Sequence, residues 1–339
     1  MSPDSTGIPP VLKLSIVVPV YRSEACLPAL IAAITAELEP TGWDYETILV
    51  NDFSPDRSWQ VMEKLCRQNR RVVAVDLRRN FGQDNAILTG MRLARGAYIV
   101  IMDDDLQHHP KYIRLMLDKA EKGADVVYAD FDSQHQKLWK KMGSRIHGKI
   151  AEYVLYKPRN VYLSPYKIVR KEVADMICNF GGPTPYVDGL LYQVTWRISS
   201  VQVAHFPRHA GKGNYTFWRS LGVSARLIFS YSLKPLRLVT WTGLAITIVA
   251  VIVALGVTAS RLLFAAGLPA EGIASSLLVI TLLLVVGLQL TLFGIVGEYV
   301  GRIYRIVSEK PQTSIREILN RDCPVTSPSP LSNQVEQIN

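Results

Sequence analysis

Tyr98-Ile99-Val100-Ile101-Met102-Asp103-Asp104-Asp105-Leu106-Gln107 is the stretch on which the reading turns, an apolar run that passes directly into three consecutive carboxylates. An apolar run of that length bounded by polar residues reads as a buried strand. Three aspartates at its end are costly unless something positive compensates them. Alternate residues of an extended segment point the same way. Asp103 and Asp105 are therefore expected to converge, with Asp104 facing elsewhere and Gln107 continuing the first pair. Two carboxylates and an amide oxygen suit a hard divalent cation, Mg2+ or Mn2+, which shares its remaining positions with water and phosphate oxygens. An acidic turn capping a helix that begins near Pro110 is the competing explanation.

Outward from this stretch, β-rich runs at 14–18, 47–50, 72–77, 98–102 and 125–128 alternate with helical patterns at 27–38, 58–69, 83–94 and 110–121. That alternation predicts an α/β fold, a parallel sheet with helices on both faces. Ligands in such sheets bind beyond the carboxyl ends of the strands. The polar motifs fall there: the first strand runs into Pro19-Val20-Tyr21-Arg22-Ser23-Glu24 and the second into Asn51-Asp52-Phe53-Ser54-Pro55-Asp56. No GxGxxG or GxxxxGK[ST] loop follows a strand, which argues against a dinucleotide oxidoreductase or a P-loop ATPase.

Composition narrows the class further. Of 339 residues, 48% are hydrophobic and 20% charged, which excludes a disordered or collagen-like chain. Cys26, Cys66, Cys178 and Cys323 are scattered without a CxxC pair, against a disulfide scaffold or a cysteine-built zinc site. A net charge of +9 calls for an anionic partner. Nucleic acid is not expected, because the basic residues flank apolar runs instead of forming a face with interleaved aromatics.

Two runs, 238–260 and 272–297, carry no charge, and each is long enough to cross a bilayer as a helix. Arg226, Lys234 and Arg237 precede the first, while Arg302, Arg305 and Lys310 follow the second. Excess basic charge marks the cytoplasmic side. The expected protein is thus a multi-pass protein of the inner membrane, with its head and both termini cytoplasmic. Trp218, Leu221, Ala225, Ile228 and Phe229 recur at helical spacing, as in a helix lying in the membrane interface or packing against the head. The layout is a tail at 1–11, a catalytic head at 12–215, a juxtamembrane helix at 216–237 and spans at 238–264 and 272–297. A cytoplasmic segment at 298–323 and a disordered tail at 324–339 follow.

Val17-Val18-Pro19-Val20-Tyr21, the run from Val50 to Asp56 and the run from Asp103 to Pro110 together resemble the family 2 glycosyltransferases of the GT-A fold. Arg79-Asn80-Phe81-Gly82-Gln83 and Gly297-Glu298-Tyr299-Val300-Gly301-Arg302-Ile303-Tyr304 narrow the resemblance to the polyprenyl-phosphate glycosyltransferases, a group that includes dolichyl-phosphate mannose synthase and the bactoprenol glucosyl and aminoarabinose transferases. The resemblance covers about residues 12 to 315. It implies inverting, metal-dependent transfer of a sugar from a nucleoside diphosphate sugar, most commonly UDP-linked, to a polyprenyl phosphate such as undecaprenyl phosphate. It also implies a homo-oligomer, with a tetramer as the form suggested.

By the same resemblance, Pro19, Tyr21 and Asp52 hold the base and ribose, and Asp103, Asp104 and Asp105 hold ribose, metal and diphosphate. Gln107 takes a second metal-ligand slot, and Asp105 also orients the reacting groups. Arg208, in the loop Arg208-His209-Ala210-Gly211-Lys212-Gly213-Asn214-Tyr215, grips the donor diphosphate. Lys212 supplies the charge that relatives place at the position of Asn214. The basic segment 134–149 contains Lys140 and Ser144, four apart on one helix face, which match a pair that contacts the acceptor phosphate. A solvated basic helix is the plain alternative for that segment. Asn51 replaces the first of two frequent aspartates, and no arginine follows the fifth strand. Two other functions remain open. A processive polysaccharide synthase would carry QxxRW, and here Gln193-Val194-Thr195-Trp196-Arg197 has the last pair reversed. A noncatalytic membrane scaffold that binds a nucleotide sugar would keep the strand-end motifs without transfer.

Overall fold

The computed structural model describes residues 13–131, 164–182, 185–204, 241–246, 248–249, 252, 255–256, 271–307 and 312–321. Among them, eight strands form one sheet in the order β7-β5-β6-β4-β1-β2-β3-β8. β1 (Leu14–Val20), β2 (Tyr45–Asn51), β3 (Val72–Leu77) and β4 (Tyr98–Ile101) are mutually parallel and form its centre. β5 (Val126–Phe131) and β7 (Ile198–Val203) pair in parallel on one side. β6 (Lys167–Arg170) runs antiparallel between β4 and β5, and β8 (Ile315–Leu319) closes the other edge antiparallel to β3. The all-parallel sheet expected from the sequence is therefore mixed. The two reversed strands have only four and five residues and lie outside the five runs read as strands.

Every residue of β1, β2 and β3 is buried, as a central parallel strand covered on both faces requires. Side chains alternate across the pleat. Leu14, Ile16, Val18 and Val20 of β1 enter one core, with α1 (Leu27–Leu38), α2 (Ser58–Gln68) and α4 (Ile113–Glu121). Val17 enters the other, with α3 (Gln83–Leu93), α5 (Lys171–Cys178) and α6 (Val187–Val194). α1 shows why these segments coil: Leu27, Leu30, Ile31, Ile34 and Leu38 make one buried stripe at helical spacing, and a proline sits in the first turn, where no N–H is needed.

α7 (Glu271–Val307) is a helix of 37 residues whose described side chains are largely exposed, Leu282, Phe293 and Ile303 among them. Residues 241–246 are also helical. Among the described residues, no helix is long and apolar enough to cross a membrane. Most of the first expected span, the juxtamembrane helix at 216–237 and both tails lie outside the described residues. β8 draws part of the segment 298–323 into the sheet of the head.

At the amino ends of the central strands, away from the polar motifs, the buried Ser15 hydroxyl donates to Glu46 Oε1 at 2.6 Å, and Arg321 reaches Glu46 Oε2 at 3.3 Å. Gly96 donates its N–H to Ser15 Oγ at 2.8 Å, and a Cβ at Gly96 would lie 2.5 Å from the backbone carbon of Leu14 and the nitrogen of Ser15. Backbone cannot yield as a side chain can. Gly96→Ala is therefore expected to destabilise the head by about 1–3 kcal/mol, the ordinary cost of overpacking. Thermal unfolding of the full chain in detergent checks this, and an unchanged midpoint would contradict the close packing.

Candidate functional site

The central strands end together on one edge, and their loops are joined by carboxylates. After β1, Tyr21 is exposed, Arg22 has φ 60°, and Ser23 is buried again. After β2, Asp52 is buried and Phe53 has φ 55°. After β4, Leu106 has φ 60°. Left-handed backbone is unfavourable for side chains of this size. Three of the four such non-glycine residues among the described ones lie in these three loops.

Asp104 bridges the β1 and β4 loops. Its Oδ2 accepts the Ser23 hydroxyl and, at 3.4 Å, the Tyr21 N–H. Burial pushes its carboxyl up to about 6; those two donors oppose the rise, and the charge of Asp105 adds to it. Ser23 is itself held by its N–H, which donates to Ser58 Oγ at 3.0 Å. Asp52 performs the same bracing one strand over, its oxygens accepting the N–H groups of Phe81 at 2.7 Å and Gly82 at 2.9 Å. Gly82 reaches this position with φ 92°, open to glycine and strained for other residues. Burial raises the Asp52 carboxyl, with both N–H groups pulling the other way.

β4 ends at Ile101 and the chain bends from Asp104, so Asp103 and Asp105 stand beyond the extended segment on which the expected alternation rests. Asp103 Oδ1 accepts Gln83 Nε2 at 2.8 Å, from the first residue of α3. Asp105 Oδ1 accepts the N–H of Gln107 at 3.1 Å, closing a local turn. The His108 ring stacks on Tyr166, centroids 5.4 Å apart, and lies tilted against Phe131 at 5.3 Å, and its Nδ1 accepts the Asp103 N–H at 3.2 Å. That bond uses the Nδ1 lone pair, so the 3.8 Å approach of Nδ1 to Asp103 Oδ2 is not an ion pair.

Of the expected site residues, Tyr21, Asp103, Asp104, Asp105 and Gln107 thus gather at the carboxyl edge. Pro19 lies inside β1 and is buried, and Asp52 is only 4% exposed behind its loop. Lys140, Ser144, Arg208 and Lys212 lie outside the described residues. Among the described residues, no group of three or more His, Cys, Asp or Glu side chains is arranged to hold a metal ion. The hard oxygens of Asp103, Asp105 and Gln107, all half-buried, are the donor set on this edge that suits a divalent cation.

Sequence reasoning assigned no role to Gln83, Ser23 or His108, although Gln83 closes a quoted motif. It also missed a buried ionic cluster: Lys167 on β6 pairs with Asp188 in the first turn of α6, and Tyr128 donates to Asp188 Oδ1 at 2.8 Å. Lys167 opens β6 and Asp188 lies 21 residues further on, so no local pattern in the sequence joins them. Next to this cluster, Asp84 Oδ1 accepts the Val187 N–H at 3.2 Å, tying α3 to α6.

A model of the family described as Glycosyl transferase family 2 matches residues 15–177. The undecaprenyl-phosphate 4-deoxy-4-formamido-L-arabinose transferase of Enterobacter sp. is 29% identical over 323 residues, 95% of this chain and 98% of that protein. An uncharacterized glycosyltransferase of Synechocystis sp. is 31% identical over 305 residues, 88% of this chain and 93% of that protein. Among solved structures, glucosyl-3-phosphoglycerate synthase from Mycobacterium tuberculosis, in complex with Mn2+, UDP and phosphoglyceric acid, superposes with a TM-score of 0.49 at 16% identity. It covers 66% of this chain and 78% of that one.

Asp84 generates a pH prediction. Burial lifts its carboxyl from 3.8 to about 6; the Val187 N–H and Lys167 oppose the rise, and Asp188 adds to it. Between those values the folded state holds more protons than the unfolded, so stability falls as pH rises through the window and levels off above it. Asp84→Asn keeps an acceptor for Val187 without the charge. It is expected to exceed the wild type by on the order of 2 kcal/mol at pH 8, the gap closing toward pH 4. Thermal midpoints of both proteins across that range give the measurement.

Proposed function

The chain belongs to glycosyl transferase family 2 and is a glycosyltransferase, and from that premise we propose that it moves a sugar from a nucleoside diphosphate sugar, UDP-linked by preference, to a polyprenyl phosphate at a membrane surface. The observation that carries this reading is the gathering of Asp103, Asp104 and Asp105 at the carboxyl edge of the parallel strands, braced to the loops after β1 and before α3. An anionic donor cannot share that edge with three carboxylates unless positive charge accompanies it. The acceptor class is supported by the undecaprenyl-phosphate transferase that matches along nearly the whole chain, and by the exposed apolar side chains of α7.

The residues divide the work as follows. Tyr21 and the exposed Phe53 flank the end of β1 and β2 and offer aromatic faces for a nucleoside base. Asp52 holds the Phe81–Gly82 backbone from which α3 starts, and so places Gln83. Gln83 in turn fixes the direction of Asp103. Asp103, Asp105 and Gln107 would hold Mg2+ or Mn2+, which when bound neutralises charge developing on the departing diphosphate. Arg208 and Lys212 supply donors to the same diphosphate, with a guanidinium suited to bidentate contact. Lys140 and Ser144 bind the acceptor phosphate. A phosphate monoester with a second pKa of about 6 is largely dianionic at neutral pH, so it attacks the anomeric carbon without a general base. Attack opposite the leaving group inverts that centre. Asp105 orients the reacting groups. The head works at the cytoplasmic face of the inner membrane, held by two spans, 238–264 and 272–297, in a homo-oligomer.

Membranes containing the full chain, a short polyprenyl phosphate and a panel of nucleotide sugars, with products identified by mass, test the reaction. One glycosyl polyprenyl phosphate is expected, dependent on added divalent cation. Asp103→Ala and Asp105→Ala are each expected to reduce it about 100-fold or more without loss of folded protein. Full activity of both variants after chelation would overturn the assignment. Lys140→Ala is expected to raise the KM for the lipid more than that for the sugar nucleotide; the reverse pattern removes Lys140 from the acceptor.

A further inference from the structure

A second route into the donor loops starts from the far end of the chain. β8 pairs with β3 in a register that shifts between Asp76 and Leu77: Asp76 stands opposite Glu317, and Leu77 opposite Ile315. Arg316 is the extra residue of this bulge. Bulges re-aim the side chain they carry. Here the Arg316 guanidinium lies 5.8 Å from the centre of the Trp59 ring, and its Nε is 2.6 Å from Asp76 Oδ2. The Asp76 side chain is 3% exposed against 49% for Arg316, so a surface arginine neutralises a buried carboxylate.

Asp76 passes the contact inward. Its other oxygen accepts Asn51 Nδ2 at 2.5 Å, and Asn51 Oδ1 accepts the Ser54 N–H at 3.1 Å. Ser54 Oγ then accepts the Arg22 N–H at 3.1 Å, in the loop after β1. An ionised carboxylate only accepts hydrogen bonds. Asp76 therefore compels the Asn51 amide to present its nitrogen to β3 and its oxygen to Ser54. That oxygen holds the turn in which Phe53 takes its left-handed conformation. Without Arg316 the carboxylate is left buried beside a single neutral donor, a costly arrangement that the structure relieves by moving it. That movement frees the amide to turn over.

We propose that Arg316 is a positioning residue for the donor: acting through Asp76 and Asn51, it sets the Phe53–Ser54 turn and the Arg22 loop that receive the nucleoside diphosphate. The inference rests on the donor reading above and extends it to a residue on the strand that follows the long C-terminal helix. Its signature is selective. Donor affinity depends on Arg316, whereas acceptor affinity and the turnover of bound substrates depend on it much less.

Equilibrium binding of UDP, GDP and CDP to the full chain in detergent with MnCl2, measured by calorimetry, identifies the nucleotide that binds most tightly. For that nucleotide, Arg316→Gln is expected to weaken binding about tenfold. In the transfer assay it should raise donor KM with less than twofold change in kcat or lipid KM. Arg316→Lys should recover most of the affinity. Arg321→Gln, at the opposite end of the sheet edge, loosens the same terminal segment and should leave donor affinity within twofold of wild type. If Arg316→Gln does not fold, Arg316→Gln with Asp76→Asn removes the buried charge. Binding by that pair should remain weak, because an asparagine at 76 both donates and accepts and no longer dictates the amide orientation. Wild-type affinity in a folded Arg316→Gln or in the double variant overturns the proposal, as does an equal loss in Arg321→Gln. A wild-type chain that binds none of the three nucleotides overturns the donor reading itself, a separate and recognisable result.

Discussion

Asp104 accepting the Tyr21 N–H and the Ser23 hydroxyl is the contact on which the polar edge of the sheet depends. Parallel strands that end side by side leave loops with unpaired backbone groups, and unpaired groups are expensive once covered. Here the loops satisfy one another through acidic side chains. Asp104 joins the loops after β1 and β4, and Asp52 joins the loop after β2 to the start of α3. Burial raises both carboxyls above their ordinary values, so each brace is held against a desolvation cost. The result is an edge rich in oriented oxygens whose directions are fixed before any ligand arrives. Preorganisation of that kind spares a ligand the cost of ordering the loops.

Much of this frame is legible in the sequence, for reasons that can be named. The five apolar runs that feed the motifs are strands because short β-branched runs between helical patterns have few other outcomes. The helix from Leu27 to Leu38 is found with its observed ends because its apolar stripe and proline are both local signals. β6, β7 and β8 lie outside those five runs, and neither β6 nor β8 carries a local signal. β6 places a lysine in its first position, and β8 reads Ile-Arg-Glu-Ile-Leu. Lys167 becomes tolerable only beside Asp188 and Tyr128, partners that adjacency in sequence does not reveal. The strand-end carboxylates stand together beyond β4, where the sequence places them, but their directions are not legible in it. Alternation holds only while the backbone stays extended, and β4 stops at Ile101.

The same contrast separates the residues at the carboxyl edge from those behind it. Asp103, Asp104 and Asp105 announce themselves, since three like charges after an apolar strand demand an explanation. Arg316 and Asp76 do not, being an ordinary arginine and an ordinary acid far apart in the chain. Their meaning comes from a bulge that brings one over the other. Asn51 belongs to this second class as well. Where the family resemblance has an aspartate, an amide is needed here, because a second carboxylate facing Asp76 would add repulsion and remove the donor.

The direction of β8 decides which edge of the sheet is tied to α7. β8 is antiparallel to β3, so its first residue, Ile315, lies beside Leu77, at the carboxyl end of β3. The chain leaving α7 at Val307 thus enters the sheet on the edge that carries the acidic motifs. An extended chain spans at most about 3.5 Å per residue, which limits the distance from the end of α7 to that edge to roughly 30 Å. A tether attached at the amino ends of the strands could leave the acidic edge facing away from the helix. One attached at the carboxyl edge keeps the acidic loops within that distance of the end of α7, whichever way the head turns. Covalent reach of this kind is not screened by salt, unlike attraction between charges.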